Sequence, residues 1–241
     1  MSGLTECLRR ARRGWCAAVA VAAGASERMG EDKLFLELDG ISILGRSLLA
    51  LEQSPVIDEI VAVTRPEKLE AAAALRDRHH LTKLRLVVPG GATRGESALN
   101  GVMAVSKKAK IICIHDAARP FVTGAVIAGA VEAAASWGGA APALPLKDTV
   151  KRARRGVVVE TPDRSSLFAV QTPQAFRAEL IRAALQRAAE QGKNYTDDCA
   201  AAEAIGCSVY LSPGDEDNIK LTTPADLVLA RAILEKRRAA P

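Results

Sequence analysis

Four apolar runs separated by helix-period segments dominate the first half of the chain and restrict what it can fold into. Residues 16–23, 57–64, 84–88 and 111–115 read as strands; residues 43–53, 66–78, 96–106 and 123–136 read as helices. A strand buried on both faces is a near-continuous apolar run. Strands that alternate with helices pair in parallel through right-handed crossovers, which puts helices on both faces of the sheet. Pro66 sits in a first turn, where its missing N–H is not needed, and Thr123 can cap the helix that follows it. The expected fold is α/β, with a doubly wound, mainly parallel sheet.

Beyond residue 139 the pattern changes. Residues 140–146 read as a strand, and residues 147–166 form a charged insert punctuated by Gly156, Pro162 and Asp163. The β-branched Val157, Val158 and Val159 make this insert a hairpin or arm rather than a helix. Core-like sequence resumes at Leu167-Phe168-Ala169-Val170, followed by helical patterns at 177–191 and 197–205 and short strands at 208–211 and 218–221. A last helix starts at Thr223-Pro224-Ala225-Asp226 with a cap, a proline and an early acid. The expected organisation is a flexible extension over residues 1–15 and one domain over 16–241, with an arm at about 147–170.

Composition narrows the function. With 3% aromatic residues the chain has few stacking platforms for single-stranded nucleic acid. The net charge of +5 suits a polyanionic ligand, although part of it sits at Arg9, Arg10, Arg12 and Arg13 and at Lys236, Arg237 and Arg238. No nucleic-acid partner is expected. The five cysteines contain no C-x-x-C pair and, with three histidines, match no zinc spacing. That usage points to a reducing cytoplasm. No apolar stretch approaches the roughly 20 residues that span a bilayer, so no membrane partner is expected.

The chemistry concentrates after the strands. The first run ends in Ala22-Ala23-Gly24, and the loop beyond carries Arg28, Met29, Gly30 and then Lys33. Small residues let backbone N–H groups approach a phosphate, and fixed cations neutralise its charge. The loop is neither a Walker A loop nor a G-x-G-x-x-G fingerprint. Polar clusters follow the other strands: Pro89-Gly90-Gly91-Ala92-Thr93-Arg94 with Ser97, His115-Asp116-Ala117-Ala118-Arg119-Pro120 and Lys147-Asp148-Thr149-Val150-Lys151-Arg152. Further on stand Gln171-Thr172-Pro173-Gln174, Tyr195-Thr196-Asp197-Asp198 and Asp217-Asn218-Ile219-Lys220. Any one of these is readable as a satisfied turn. Together they line the edge where open α/β sheets bind ligands.

In these motifs, taken in order from about Cys16 to the final helix, the chain resembles the 2-C-methyl-D-erythritol 4-phosphate cytidylyltransferases. The resemblance implies a Rossmann-like nucleotidyltransferase fold with a projecting β-arm. It implies Mg²⁺-dependent transfer of CMP from CTP to a polyol phosphate, with release of pyrophosphate, by a homodimer whose arms reach the partner's site. It places Arg28, Lys33 and Lys220 on the triphosphate and the developing charge. Ala22, Ala23, Gly24, Gly90, Gly91, Ser97 and the backbone of Ala117 would hold the nucleotide. Asp116 would contact the metal and the substrate. Arg119, Thr149, Thr196 and the neighbouring subunit's own copy of Arg164 would hold the acceptor. Asp217 is either a turn residue or a second metal contact, and His115 packs beside the site rather than acting as a base. The alternatives are a ribitol 5-phosphate cytidylyltransferase of the same fold and a non-catalytic nucleotide-binding protein.

Overall fold

The computed structural model describes residues 14–24 and 33–239. The elements run β1 (Trp15–Ala22), β2 (Glu37–Leu38), β3 (Ile41–Ser42), α1 (Ile43–Gln53), β4 (Glu59–Thr64), α2 (Leu69–Arg78), β5 (Leu84–Pro89), α3 (Arg94–Ala104), β6 (Ala109–Asp116) and α4 (Gly124–Trp137). They continue with β7 (Gly139–Pro145), β8 (Arg152–Arg154), β9 (Val157–Glu160), β10 (Phe168–Val170), β11 (Gln174–Arg177), α5 (Ala178–Glu190), α6 (Asp198–Glu203), β12 (Val209–Pro213) and α7 (Pro224–Ala239). The central sheet is ordered β10-β7-β11-β6-β1-β4-β5, with β12 paired to β7. The pairs β6–β1, β1–β4, β4–β5 and β12–β7 are parallel. β11 lies antiparallel between β6 and β7. The sheet is thus mixed but mostly parallel, as the alternation of runs predicts.

Period-2 alternation along β1 divides the core into two layers. Ala18, Ala20 and Ala22 face Leu44 and Leu48 of α1, Leu75 of α2, Ile127 of α4 and Ile233 of α7. Ala17, Val19 and Val21 face Ala98 and Val102 of α3, Ile181 and Leu185 of α5 and Ala202 of α6. Fully burying one such Val, Leu or Ile is worth about 1.5–3 kcal/mol. Among the described residues no helix is long and apolar enough to cross a membrane.

The register places the site. Ala22 pairs with Thr64, Thr64 with Pro89, and Val21 with Asp116, so the carboxyl ends of β1, β4, β5 and β6 finish along one edge. The loops after β1, β5 and β6 therefore meet there.

The insert is a hairpin, β8 against β9, forming a sheet of its own. Its two turn residues, Arg155 at φ 50 and Gly156 at φ 80, both have positive φ, the geometry of a tight primed turn. Three local expectations fail. Residues 218–221 form no strand: Asn218 N–H donates to the Asp215 carbonyl and Ile219 N–H to that of Asp217, so the amides close a turn, leaving Leu221 N–H on the Ala118 carbonyl. Residues 167–170 are not core: β10 pairs only with the far end of β7, and Phe168 and Val170 stay exposed. The first strand begins at Trp15, inside the expected extension.

Candidate active site

A cleft of about 480 Å³ opens at the carboxyl edge of the sheet. It gathers Ala22, Ala23 and Gly24 from the end of β1, Lys33, Gly91 and Ser97, Asp116 from the end of β6, and Lys220. Gly90 sits directly behind: a Cβ there would lie 2.3 Å from Ala23 Cβ and 2.8 Å from Ser97 Oγ, so only glycine lets the two loops pack. The loop between β5 and α3 satisfies its own donors. Gly90 N–H donates to the Thr64 carbonyl (2.8 Å), Gly91 N–H to Ser97 Oγ (3.1 Å) and Ala92 N–H to Glu96 Oε2 (2.8 Å). Thr93 caps α3, its Oγ1 accepting from Glu96 N–H at 3.1 Å.

Asp116 is the centre of the charge arrangement. Arg94, the first residue of α3, places Nη2 3.1 Å from Asp116 Oδ1, and Lys220 places Nζ 2.7 Å from Oδ2. The same guanidinium pairs bidentately with the buried Asp198, Nη1 to Oδ1 at 3.0 Å and Nη2 to Oδ2 at 2.8 Å. Burial alone would raise the Asp116 carboxyl, but the Arg94 and Lys220 cations outweigh it and hold that carboxyl well below the usual range. Burial would lower Arg94, and its two carboxylates overcome this and push it above its ordinary value. Burial raises the Asp198 carboxyl, a rise that Arg94 opposes. Arg94 also walls off a smaller cavity of about 130 Å³ lined by Leu185, Tyr195, Asp197 and Asp198.

The remaining expected residues fall elsewhere. Ala117 is fully buried, its N–H on the Val21 carbonyl and its own carbonyl accepting from Ser47 Oγ at 2.7 Å; Ala118 lines the cleft in its place. Arg119 points its Nη1 to the Asn218 carbonyl (2.7 Å). Thr149 is exposed at the root of the arm, and Thr196 is exposed beside Asp197. Arg164 is exposed on the arm side, with Nη1 donating to the Lys147 carbonyl at 2.8 Å. Within one chain these residues do not converge on the cleft. Asp217 directs its carboxylate to Lys236 at 3.1 Å. Arg28 lies outside the described residues.

The profile of the 2-C-methyl-D-erythritol 4-phosphate cytidylyltransferase family matches residues 16–236. A Clostridium botulinum protein of that name is 41% identical over 221 residues, covering 90% of this chain and 96% of the relative. One from Desulforamulus reducens is 44% identical over 224 residues, covering 91% and 96%. The crystal structure of 4-diphosphocytidyl-2C-methyl-D-erythritol synthase from Anaerococcus prevotii superposes with a TM-score of 0.83 at 28% identity, covering 92% of this chain and 97% of that one. The chain belongs to this family.

As a cytidylyltransferase it carries two site residues that the sequence reading quoted without assigning: Arg94 and Asp198. Their signal was present in Thr93, a helix cap that delivers the next side chain to a sheet edge, and in the paired acids Asp197-Asp198. Among the described residues no group of three or more His, Cys, Asp or Glu side chains could hold a metal ion alone. Magnesium commonly rests on one or two carboxylates plus substrate phosphates. Asp116 is the carboxylate that lines the cleft, and its Oδ1 and Oδ2 are paired with Arg94 and Lys220.

Proposed function

We propose that the cleft binds CTP, with cytosine against the loop of residues 90–97 and the triphosphate toward Lys33 and Lys220. Arg28, by its place after β1 in the sequence, joins the grip on the triphosphate. A phosphate oxygen of 2-C-methyl-D-erythritol 4-phosphate attacks the α-phosphorus of CTP. The bond from α-phosphorus to the bridging oxygen breaks, and pyrophosphate leaves with that electron pair. The product is 4-diphosphocytidyl-2-C-methyl-D-erythritol. A phosphomonoester with a second pKa of roughly 6 is already ionised at neutral pH, so no general base is required. Preorganised cations meeting the charge that builds on the α-phosphate supply the catalysis. Asp116, together with the phosphates, would hold magnesium, which would supply charge neutralisation on the triphosphate.

The observation that carries this reading is the convergence of Asp116, Lys220, Lys33 and the Gly91–Ser97 loop on one cleft at the sheet edge. The loop of residues 90–97 would select cytosine by its amino group, a donor that uracil replaces with an acceptor. The acceptor side falls to Arg119, Thr196 and, from a second subunit, that subunit's copies of Thr149 and Arg164. An arm with Val157, Val158 and Val159 all more than half exposed supports a homodimer in which each arm covers its partner. The free thiols of Cys113, Cys199 and Cys207 suit the cytoplasm, the location we assign.

The test is pyrophosphate release with magnesium and 2-C-methyl-D-erythritol 4-phosphate, offering CTP or UTP. A site built around one hydrogen-bond pattern rejects its mismatch strongly, so kcat/KM for UTP is expected about 100-fold lower or worse. Equal turnover of the two nucleotides would overturn the base assignment.

A further inference from the structure

A second cavity, as large as the cleft at about 480 Å³, lies on the α1 side of the sheet. Among the described residues, none lines both spaces. Arg46, Ala50 and Ser54 border the second cavity at the four-residue spacing that shares one side of a helix, with Leu49 beside them. Pro120, Val122 and Gly124 border it from the segment leading into α4, and Arg237 from α7. Its charge is one-sided: two guanidiniums and, among the described residues, no carboxylate line it. The nearest acid to Arg46 in the ion-pair network, Asp39, lies 3.9 Å away and is shared with Arg238 at 2.8 Å. Burial lowers the Arg46 pKa; Asp39 opposes this and the Arg238 cation reinforces it. An anion beside Arg46 would counter both causes.

Both guanidiniums are held in place by backbone carbonyls. Arg46 Nε donates to the Leu38 carbonyl at 3.0 Å. Arg237 Nη2 donates to the Phe121 carbonyl at 2.7 Å, with the group over the Phe121 ring, 5.4 Å from its centroid. Two uncharged features point the same way. Ser54 is 2% exposed, and its Oγ has no hydrogen-bond partner among the described residues. A buried polar atom without a partner is rare and marks a place where a water, an ion or a ligand belongs. Helix α4, 14 residues long, begins at the same wall: Thr123 Oγ1 accepts from Val126 N–H at 3.4 Å, and a Cβ on Gly124 would meet nothing within 4 Å. The first amides of a helix have no acceptor within it, and with the helix dipole they favour an anion there.

We propose that this cavity is a second anion site, separate from the cleft, that takes the phosphate group of a small organic phosphate. Arg46 and Arg237 supply the charge, in the planar fork that suits phosphate oxygens, and the start of α4 supplies amides. Leu49, Ala50 and Val122 give the carbon body of the ligand an apolar wall, and Ser54 Oγ gives it a polar partner. The site borders the catalytic edge. Ser47, next to Arg46, donates its Oγ to the Ala117 carbonyl at 2.7 Å, and Pro120 directly follows the turn that Arg119 N–H closes onto the Asp116 carbonyl. A ligand here thus contacts two segments that hold the Asp116 turn. The site stands on its own residues and does not depend on the cytidylyltransferase reading.

The test begins with the unaltered protein. Crystals soaked in tungstate, a phosphate-shaped dianion, are expected to show a heavy-atom peak bounded by Arg46, Arg237 and Gly124. A peak confined to the cleft beside Lys33 and Lys220 would overturn the proposal. In solution, the NMR signal of the Gly124 amide reports this site alone, and it is expected to shift with added butyl phosphate. Arg237→Gln should raise the Kd read from that signal at least about fivefold, because one charge-assisted contact is lost. Lys220→Met, in the cleft, should leave it within about twofold of the wild type. Inorganic phosphate, which has no carbon body, is expected to bind at least about threefold more weakly than butyl phosphate. A Gly124 amide that does not move, or an R237Q protein that binds as tightly as the wild type, would overturn the site. Inorganic phosphate binding as tightly as butyl phosphate would overturn its assignment to an organic phosphate.

Discussion

His115 shows how one buried side chain ties stability to the state of the site. It is fully buried, and burial lowers its pKa to about 4 against the partial opposition of Asp116. The unfolded chain holds it near the ordinary value of about 6.5. Between these values the unfolded chain binds the extra proton, so the contribution to stability is complete above pH 6.5 and is lost as pH falls toward 4. The slope from this residue reaches ~1.4 kcal/mol per pH unit in that window. Asp116, held below the usual carboxylate range, adds its own loss only in stronger acid; Asp198, raised by burial, works in the opposite direction. Urea unfolding at pH 7 and pH 5 is expected to show a clear loss of stability in the wild type and a smaller one in His115→Gln. An equal loss in both would place the acid sensitivity elsewhere.

Among the elements, the arm makes the sharpest demand. Hairpin β8–β9 has its own two-stranded sheet and exposes its valines, which the proposed homodimer would cover. If Arg164 serves the neighbouring subunit, then an Arg164→Ala subunit and a Lys220→Met subunit repair each other when mixed. Half the dimers are then mixed, and each has one of two sites intact, so about a quarter of wild-type activity should return from two nearly inactive parents. Simple averaging of the two parental rates would mean that Arg164 acts within its own chain. The elements also show what was legible. The apolar runs of β1, β4 and β6 are read correctly because burial on both faces leaves a continuous apolar signature, while the edge strand β5, with Arg85 and Leu86 exposed, is legible from its Leu and Val residues alone. β11 was missed: it starts at the polar Gln174 and exists because β6 and β7 leave a slot for it. The 218–221 segment looked apolar enough for a strand, but its amides close a turn around the side chains of Gln171 and Asn218.

At the scale of the whole molecule, the sheet edge collects residues far apart in the chain. Asp116, Lys220 and the glycine loop announced themselves because each follows a recognisable strand or motif. The Arg94–Asp198 pair did not, since its partners stand 104 positions apart and only the folded edge brings them together. Arg164 and Thr149 stay away from the cleft of their own chain, which is what an acceptor pocket completed by a second subunit requires. In the proposed homodimer, triphosphate chemistry would be built within one chain and acceptor choice at the junction of two. The most direct test of the account is the initial rate of pyrophosphate release from CTP and magnesium with 2-C-methyl-D-erythritol 4-phosphate or ribitol 5-phosphate as acceptor. The account predicts turnover with methylerythritol phosphate at least about 100-fold more efficient than with ribitol phosphate. Equal or faster turnover with ribitol phosphate, or CTP binding with neither acceptor consumed, would contradict it.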